Sequence, residues 1–286
     1  MRKKVILVTG CSTGIGYSLV KKLAQQGHKV YAGVRKPEVI SELRRDNLKP
    51  IRLDVNNQED IVTVIADIER ECGHLDLLVN NAGYGAMGPL VEMPMSEVQE
   101  QFKTNVFSVL ALTQFAFPLL NKAALKNQSA LIINVGSVSG VMPTPFSGAY
   151  CATKAAVHAM SDALRMELAP LGIEVMTVQP GAIESSFGDT AVLKLADTLA
   201  KDSIYSSISD GIRKRAGASQ DKPTTADEFV DVLLEAINKN RKPANIRIGN
   251  GSFVMPLLKR LLPESWLDFI LSRSFSLHLL ASNKQL

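Results

Sequence analysis

Short contiguous apolar runs alternate along the chain with longer stretches in which apolar positions recur every three or four residues. The first kind marks strands buried on both faces, the second helices with one apolar side. Val5-Ile6-Leu7-Val8 opens the series, followed by strand-like runs at 29–34, 49–55, 75–79, 130–135, 171–178 and 245–248. Between them lie helical patterns. The first runs through Leu19, Val20, Leu23 and Ala24 and stops at Gly27; the second covers about 57–71. A long one over about 96–120 carries Val98, Phe102, Val106, Val109, Leu112, Phe115 and Leu119, and another follows Tyr150. Thr225-Ala226-Asp227-Glu228 reads as a capping box that opens a last helix to about Asn240. Such alternation predicts one α/β domain, a doubly wound parallel sheet of about seven strands.

Two stretches break the rhythm. Residues 184–222 become mixed and helical with Ser, Asp and Gly interruptions, where a substrate-covering lid would lie. Residues 251–286 carry Phe253, Leu257, Leu261, Trp266, Phe269 and Leu279 with Lys259, Arg260 and Arg273 interspersed. This C-terminal amphipathic helical extension has two readings. It lies in a membrane interface as peripheral contact, or it covers the cleft or packs on a second subunit. The expected division is therefore 1–250 as the catalytic domain and 251–286 as an extension of it.

Composition narrows the class. With 286 residues, 46% hydrophobic and 21% charged, the chain can bury a large single core. Net charge is +4 with signs mixed throughout, so nothing argues for nucleic acid as a partner. Cys11, Cys72 and Cys151 are widely spaced and fit unpaired thiols in a reducing, cytoplasmic setting. The four histidines show no metal-ligand spacing, so no metal is expected. Met1-Arg2-Lys3-Lys4 precedes an apolar run too short for a signal sequence, and no run of about 18 apolar residues suggests a spanning helix.

The first strand runs into Thr9-Gly10-Cys11-Ser12-Thr13-Gly14-Ile15-Gly16 and then a helix. Glycines there let main-chain N–H groups approach a pyrophosphate at a helix N-terminus, the dinucleotide site of a Rossmann-type sheet. At the end of the second strand, Val34-Arg35-Lys36 offers no carboxylate for a ribose hydroxyl. Arg35 is thus the candidate clamp for a 2′-phosphate, with Ser12 as a nearby donor, and NADP(H) is preferred over NAD(H); the alternative is that Arg35 only starts a solvated loop. Asp54 would either reach the adenine or start a turn. Asn80-Asn81-Ala82-Gly83 makes a polar turn at the end of the fourth strand. Asn105 interrupts the long helical pattern, where Asn is a weak helix former.

The densest chemistry lies at 136–154. A strand delivers Ser137, and the helix beyond carries Tyr150 and Lys154 four positions apart, on one face. An ammonium about 4 Å from a phenolate, at an effective dielectric of about 20, interacts by roughly 4 kcal/mol. That would bring a phenol from its ordinary value near 10 to about 7, where general acid catalysis works. The competing reading is a half-buried Tyr beside a solvated Lys.

Taken in order, these blocks resemble the short-chain dehydrogenase/reductase family over roughly residues 4–248: Thr9-Gly10 to Gly16, Asp54-Val55, Asn80-Asn81-Ala82-Gly83, Asn105, Ser137, Tyr150 with Lys154, and Pro180-Gly181. Gly83 to Leu90 and Gly136 to Pro143 are similar to the branch holding type 1 17β-hydroxysteroid and retinol dehydrogenases. Acyl-dihydroxyacetone-phosphate reductases look similar too. The resemblance implies that Tyr150 exchanges a proton with the substrate oxygen, Lys154 lowers its pKa and holds the nicotinamide ribose, and Ser137 hydrogen-bonds the carbonyl. Asn105 would hold a water that joins Lys154 to solvent. Gly10, Ser12, Thr13, Gly14, Ile15, Gly16, Arg35, Asp54, Val55, Asn81, Ala82, Gly83, Pro180, Gly181 and Ile183 would line the cofactor, with Ser185 or Ser186 at the carboxamide. The implied activity interconverts a carbonyl and an alcohol on a lipophilic steroid-, retinoid- or acyl-lipid-like substrate, in a homodimer or homotetramer. The alternative within enzymes is a phosphate- or thioester-bearing lipid ketone, which would require Arg213, Lys214 or Arg215 to face the cleft. Outside enzymes, a non-catalytic cofactor-binding scaffold is the competing class.

Overall fold

The computed structural model describes residues 2–127, 129–199 and 202–282. Seven strands, β1 (Val5–Thr9), β2 (Lys29–Val34), β3 (Leu48–Arg52), β4 (Leu77–Asn80), β5 (Ala130–Val135), β6 (Ile173–Pro180) and β7 (Asn245–Ile248), form one sheet. Their order is β3-β2-β1-β4-β5-β6-β7, and every adjacent pair is parallel. The chain therefore winds outward from β1 in one direction and then from β4 in the other. The point of reversal lies between those two strands, where an open α/β sheet forms its crevice.

Side chains alternate across the sheet and build a core on each face. Ile6, Val8, Val30 and Ile133 pack against α1 (Gly14–Gln25), through Leu19 and Leu23, and against α9 (Ala226–Ile237), through Phe229 and Leu233. Leu7, Tyr31, Leu78 and Ile132 meet α2 (Gln58–Cys72) and α4 (Ser108–Asn127) on the other face. Burial on both faces explains why the strands read as contiguous apolar runs. The capping box is present in both halves: Glu228 N donates to Thr225 Oγ1 at 3.2 Å, and Thr225 N donates to Glu228 Oε2 at 3.1 Å.

Two expectations need correction. The sixth strand begins at Ile173 rather than Leu171, because Gly172 takes a left-handed φ of 74° and turns the chain first. The single helix expected over 96–120 is a composite: α3 (Met95–Phe102), a π-helical turn at Lys103–Phe107, and α4. Asn105 is buried within the π turn, and such turns are frequent at functional sites. This 33-residue rod is apolar enough to cross a membrane, yet half of its most apolar window is buried in the protein, as befits a core helix.

A third apolar cluster stands at the C-terminal ends of the strands. Met87, Phe146, Tyr150, Ile208 and Ile212 form its centre, with Phe187, Phe275 and Leu277 against it. It joins α5 (Gly148–Leu168), the lid helices α6 (Phe187–Leu193), α7 (Leu195–Thr198) and α8 (Ser209–Ala216), and the tail. The tail folds as α10 (Val254–Leu261), α11 (Glu264–Ser274) and α12 (His278–Ser282).

Candidate active site

A cleft of about 1010 Å³ crosses the strand ends from the β1 loop to the tail helices. Its first part is the glycine loop. Gly10 and Gly14 have φ of 68° and 56°, open to glycine without strain. A Cβ on Gly16 would lie 2.2 Å from the Gly10 carbonyl oxygen, so only glycine lets α1 start this close to the turn. Thr9 and Asn81 lock the loop. Asn81 Nδ2 donates to the carbonyls of Thr9 and Gly10 at 2.9 and 3.0 Å, while Thr9 Oγ1 accepts from Asn81 N and Ala82 N. The N-terminus of α1 carries no carboxylate in its first turn and no side-chain cap, leaving its N–H groups for an anion.

Arg35 is exposed at the end of β2 and lines the cleft with Ser12, Thr13, Ile15, Asp54 and Val55. Asp54 Oδ1 accepts from Asn56 N at 2.9 Å, a turn-forming bond. Ala82, Gly83, Pro180, Gly181 and Ile183 line the same space. Gly181 is needed for close approach, since a Cβ there would lie 2.0 Å from the Asn250 carbonyl oxygen. Ser185 and Ser186 both reach the wall; Ser186 Oγ is 2.8 Å from Thr13 Oγ1, while Ser185 Oγ turns to the Ile183 carbonyl at 3.3 Å. The cradle and the polar wall together fit a dinucleotide.

Ser137, Tyr150 and Lys154 converge farther along, all buried and all lining the cleft. The electrostatics differ from expectation. Burial pushes the Tyr150 phenol up to about 12, with Ser137 and Arg215 pulling the other way. Lys154 is turned to the backbone: its Nζ donates to the Val135 carbonyl at 2.8 Å and sits 5.9 Å from the centre of the phenol ring. Burial lowers Lys154 itself to about 8. The expected fall of Tyr150 to about 7 is thus reversed, because desolvation of the phenolate outweighs an ammonium held away by a backbone carbonyl.

Asn105 is buried one layer behind. Its Oδ1 accepts from Tyr84 N at 3.0 Å, and its Nδ2 donates to Tyr84 O at 2.8 Å and Thr153 Oγ1 at 3.1 Å. It pins the turn after β4 to α5, next to the residue that precedes Lys154. Two further groups escape a reading of the sequence. His158, one turn beyond Lys154, accepts from Ser137 N at 3.3 Å. Burial and Lys154 lower it to about 4, so it is the neutral acceptor this bond requires. The continued spacing 150, 154, 158 was its only signal. Thr144 lines the cleft and accepts from Arg215 Nε at 2.5 Å. Among the described residues no cluster of His, Cys, Asp and Glu could hold a metal.

The family model for short chain dehydrogenases matches residues 4–195, two thirds of the chain and all of the elements just described up to the lid. The chain belongs to that family. A yeast relative, the NADPH-dependent 1-acyldihydroxyacetone phosphate reductase of Saccharomyces cerevisiae, is 31% identical over 285 residues, 96% of this chain and 92% of its own. The 3-ketodihydrosphingosine reductase of Bacteroides thetaiotaomicron is 37% identical over 192 residues, covering 66% of this chain and 67% of its own. Among solved structures, a short-chain dehydrogenase from Streptomyces avermitilis superposes with a TM-score of 0.79 at 26% identity, covering 95% of this chain and 98% of that one. As a family member the chain is an oxidoreductase of the carbonyl/alcohol couple that uses a nicotinamide cofactor.

Proposed function

We propose that this short-chain dehydrogenase interconverts a carbonyl and an alcohol on a lipophilic substrate, with NADP(H) preferred and Tyr150 as general acid/base. The observation that carries the reading is one continuous cleft. It has a glycine cradle and Arg35 at one end, Ser137, Tyr150 and Lys154 at its middle, and Met142, Phe187, Met255, Leu258, Leu271 and Phe275 at the other end. The nicotinamide, when bound, supplies or accepts the hydride at the carbonyl carbon. In the reducing direction the Tyr150 hydroxyl donates its proton to the substrate oxygen, and Ser137 Oγ hydrogen-bonds that oxygen. A phenol held near 12 stays protonated at neutral pH and so serves first as an acid. Lys154, buried in the same cleft with its Nζ on the Val135 carbonyl, is read as the residue that holds the nicotinamide ribose.

Arg215 favours one variant of this reading, a lipid ketone that also carries a phosphate or thioester, since of the three basic residues on α8 it alone lines the cleft while Arg213 and Lys214 are exposed. The tail supports a lipid supply. Its helices line the cleft and still expose Phe253, Leu261, Trp266 and Phe269 at 63–67%, beside Lys259 and Arg260, a face suited to peripheral contact with a membrane from the cytoplasm. Free Cys11, Cys72 and Cys151 support that reducing compartment. Phe107 and Met166, exposed at 61% and 62% on the rod and α5, support pairing of subunits into a homodimer or homotetramer, to be read by light scattering.

The test is a fluorescence titration with NADPH and NADH, followed by NADPH consumption with lipophilic ketones. Arg35→Ala is expected to weaken NADPH by about tenfold and leave NADH unchanged. Tyr150→Phe is expected to keep NADPH binding and lose turnover by roughly 10²–10⁴-fold. Equal losses for both nucleotides would remove Arg35 from the phosphate site, and an active Tyr150→Phe variant would remove the acid.

A further inference from the structure

The cleft contains a cation that proton and hydride transfer leave unused. Arg215 sits in the last turn of α8 and is only 8% exposed. Its surroundings are neutral. Nε donates to Thr144 Oγ1, Thr144 Oγ1 is 2.9 Å from Ser147 Oγ, and Ser147 Oγ is 3.2 Å from Cys151 Sγ. No carboxylate among the described residues pairs with it, and Glu97, which also lines the cleft, is paired with Lys194 at 3.0 Å. Besides burial, the groups that act on Arg215 are the Cys151 thiol and the Tyr150 phenol. A buried guanidinium without a counter-ion is costly, and holding α8 to the catalytic loop would need no more than a neutral donor for Thr144. With Nε on Thr144 and a further hydrogen bond to the Cys151 thiol, N–H groups of the terminal nitrogens still remain, in the planar fork that matches an oxyanion.

We propose that Arg215 is the anion anchor of the substrate site. The substrate then carries an oxyanion, a phosphate monoester or a carboxylate, a few bonds from the reacting carbonyl, and an apolar chain that runs under α10 and α11. The short spacing follows from the hydrogen bonds that run from Arg215 through Thr144 and Ser147 to Cys151, the neighbour of Tyr150 on α5. The proposal rests on the carbonyl-reduction reading for its catalytic assay but not for its binding assay.

The NADPH-loaded protein, as wild type, Arg215→Gln and Arg215→Lys, is assayed with three matched ketones: 1-acyldihydroxyacetone phosphate, its dephosphorylated form, and a keto acid of equal chain length. Wild type should favour an anionic ketone over the neutral one by about 100-fold in kcat/KM. Arg215→Gln should lose that preference, read as the ratio of kcat/KM on the charged ketone to that on the neutral one so that any common effect through Tyr150 cancels, and Arg215→Lys should recover part of it. Whichever anion is preferred identifies the source of the charge. Equal losses on charged and neutral ketones, or no preference in wild type, would overturn the anchor. In parallel, NADPH fluorescence is titrated with 1-acylglycerol 3-phosphate, 1-acylglycerol and a fatty acid. Tighter binding of either anionic lipid, lost in Arg215→Gln, sustains the anchor even if no ketone is reduced, in which case the catalytic reading alone falls. Absence of any anion preference in both assays rejects the anchor outright.

Discussion

At the scale of single residues, the burial that keeps the cleft dry works against the charged forms of both Tyr150 and Lys154. The consequence for Lys154 can be measured without substrate. Its amine lies near 8 in the folded protein against an ordinary 10.5, so between those values the unfolded chain holds the extra proton. Stability therefore rises with pH from about 8 to 10.5, is flat above, and carries the whole cost of the buried ammonium below. Denaturant titrations from pH 7.5 to 10.5 should show this rise in the wild type and a flatter curve in Lys154→Met. Parallel curves would mean that the ammonium is not desolvated. The Tyr–Lys pair was legible in the sequence because residues four apart share a helix face, and Ser137 because it follows the apolar run of β5. The direction of the tyrosine shift was not, because it depends on the Val135 carbonyl and on burial, both of which are tertiary. Arg215 was visible only as one of three consecutive basic residues. The rotation of α8 chooses among them.

At the scale of elements, the turn from β1 into α1 is the part most tightly specified by local chemistry. Gly16→Ala would drive a Cβ into the Gly10 carbonyl, and the resulting overpacking should cost about 1–3 kcal/mol. A fall in the urea midpoint with loss of nucleotide binding is expected; unchanged values for both would show that the loop can relax. The strand and helix order, the capping box at Thr225 and the loop glycines were all readable, since each rests on neighbours in sequence. The π turn was not. Asn105 stood out as a poor helix former and, by the resemblance, as the holder of a water, but its bonds to Tyr84 in the turn after β4 and to Thr153 on α5 are tertiary.

At the scale of the whole molecule, two cores hold the sheet and a third, smaller one joins α5, the lid and the tail. The first two were implied by apolar runs; the order of strands follows from pairing at a distance and no run of residues encodes it. The tail keeps both of its sequence readings: one side of α10 and α11 lines the cleft, the other stands in solvent. Trp266, the single tryptophan, is 63% exposed on the outer side. Vesicles rich in anionic lipid should shift its emission to the blue, and no shift would leave that face to a protein partner. Thr13 and Ser186, hydroxyl to hydroxyl at 2.8 Å, fasten the glycine loop to the start of the lid. The expected consequence of that link is an ordered traffic, nucleotide in first and out last, which product inhibition checks. In steady-state terms, NADP⁺ should inhibit competitively against NADPH and non-competitively against the ketone.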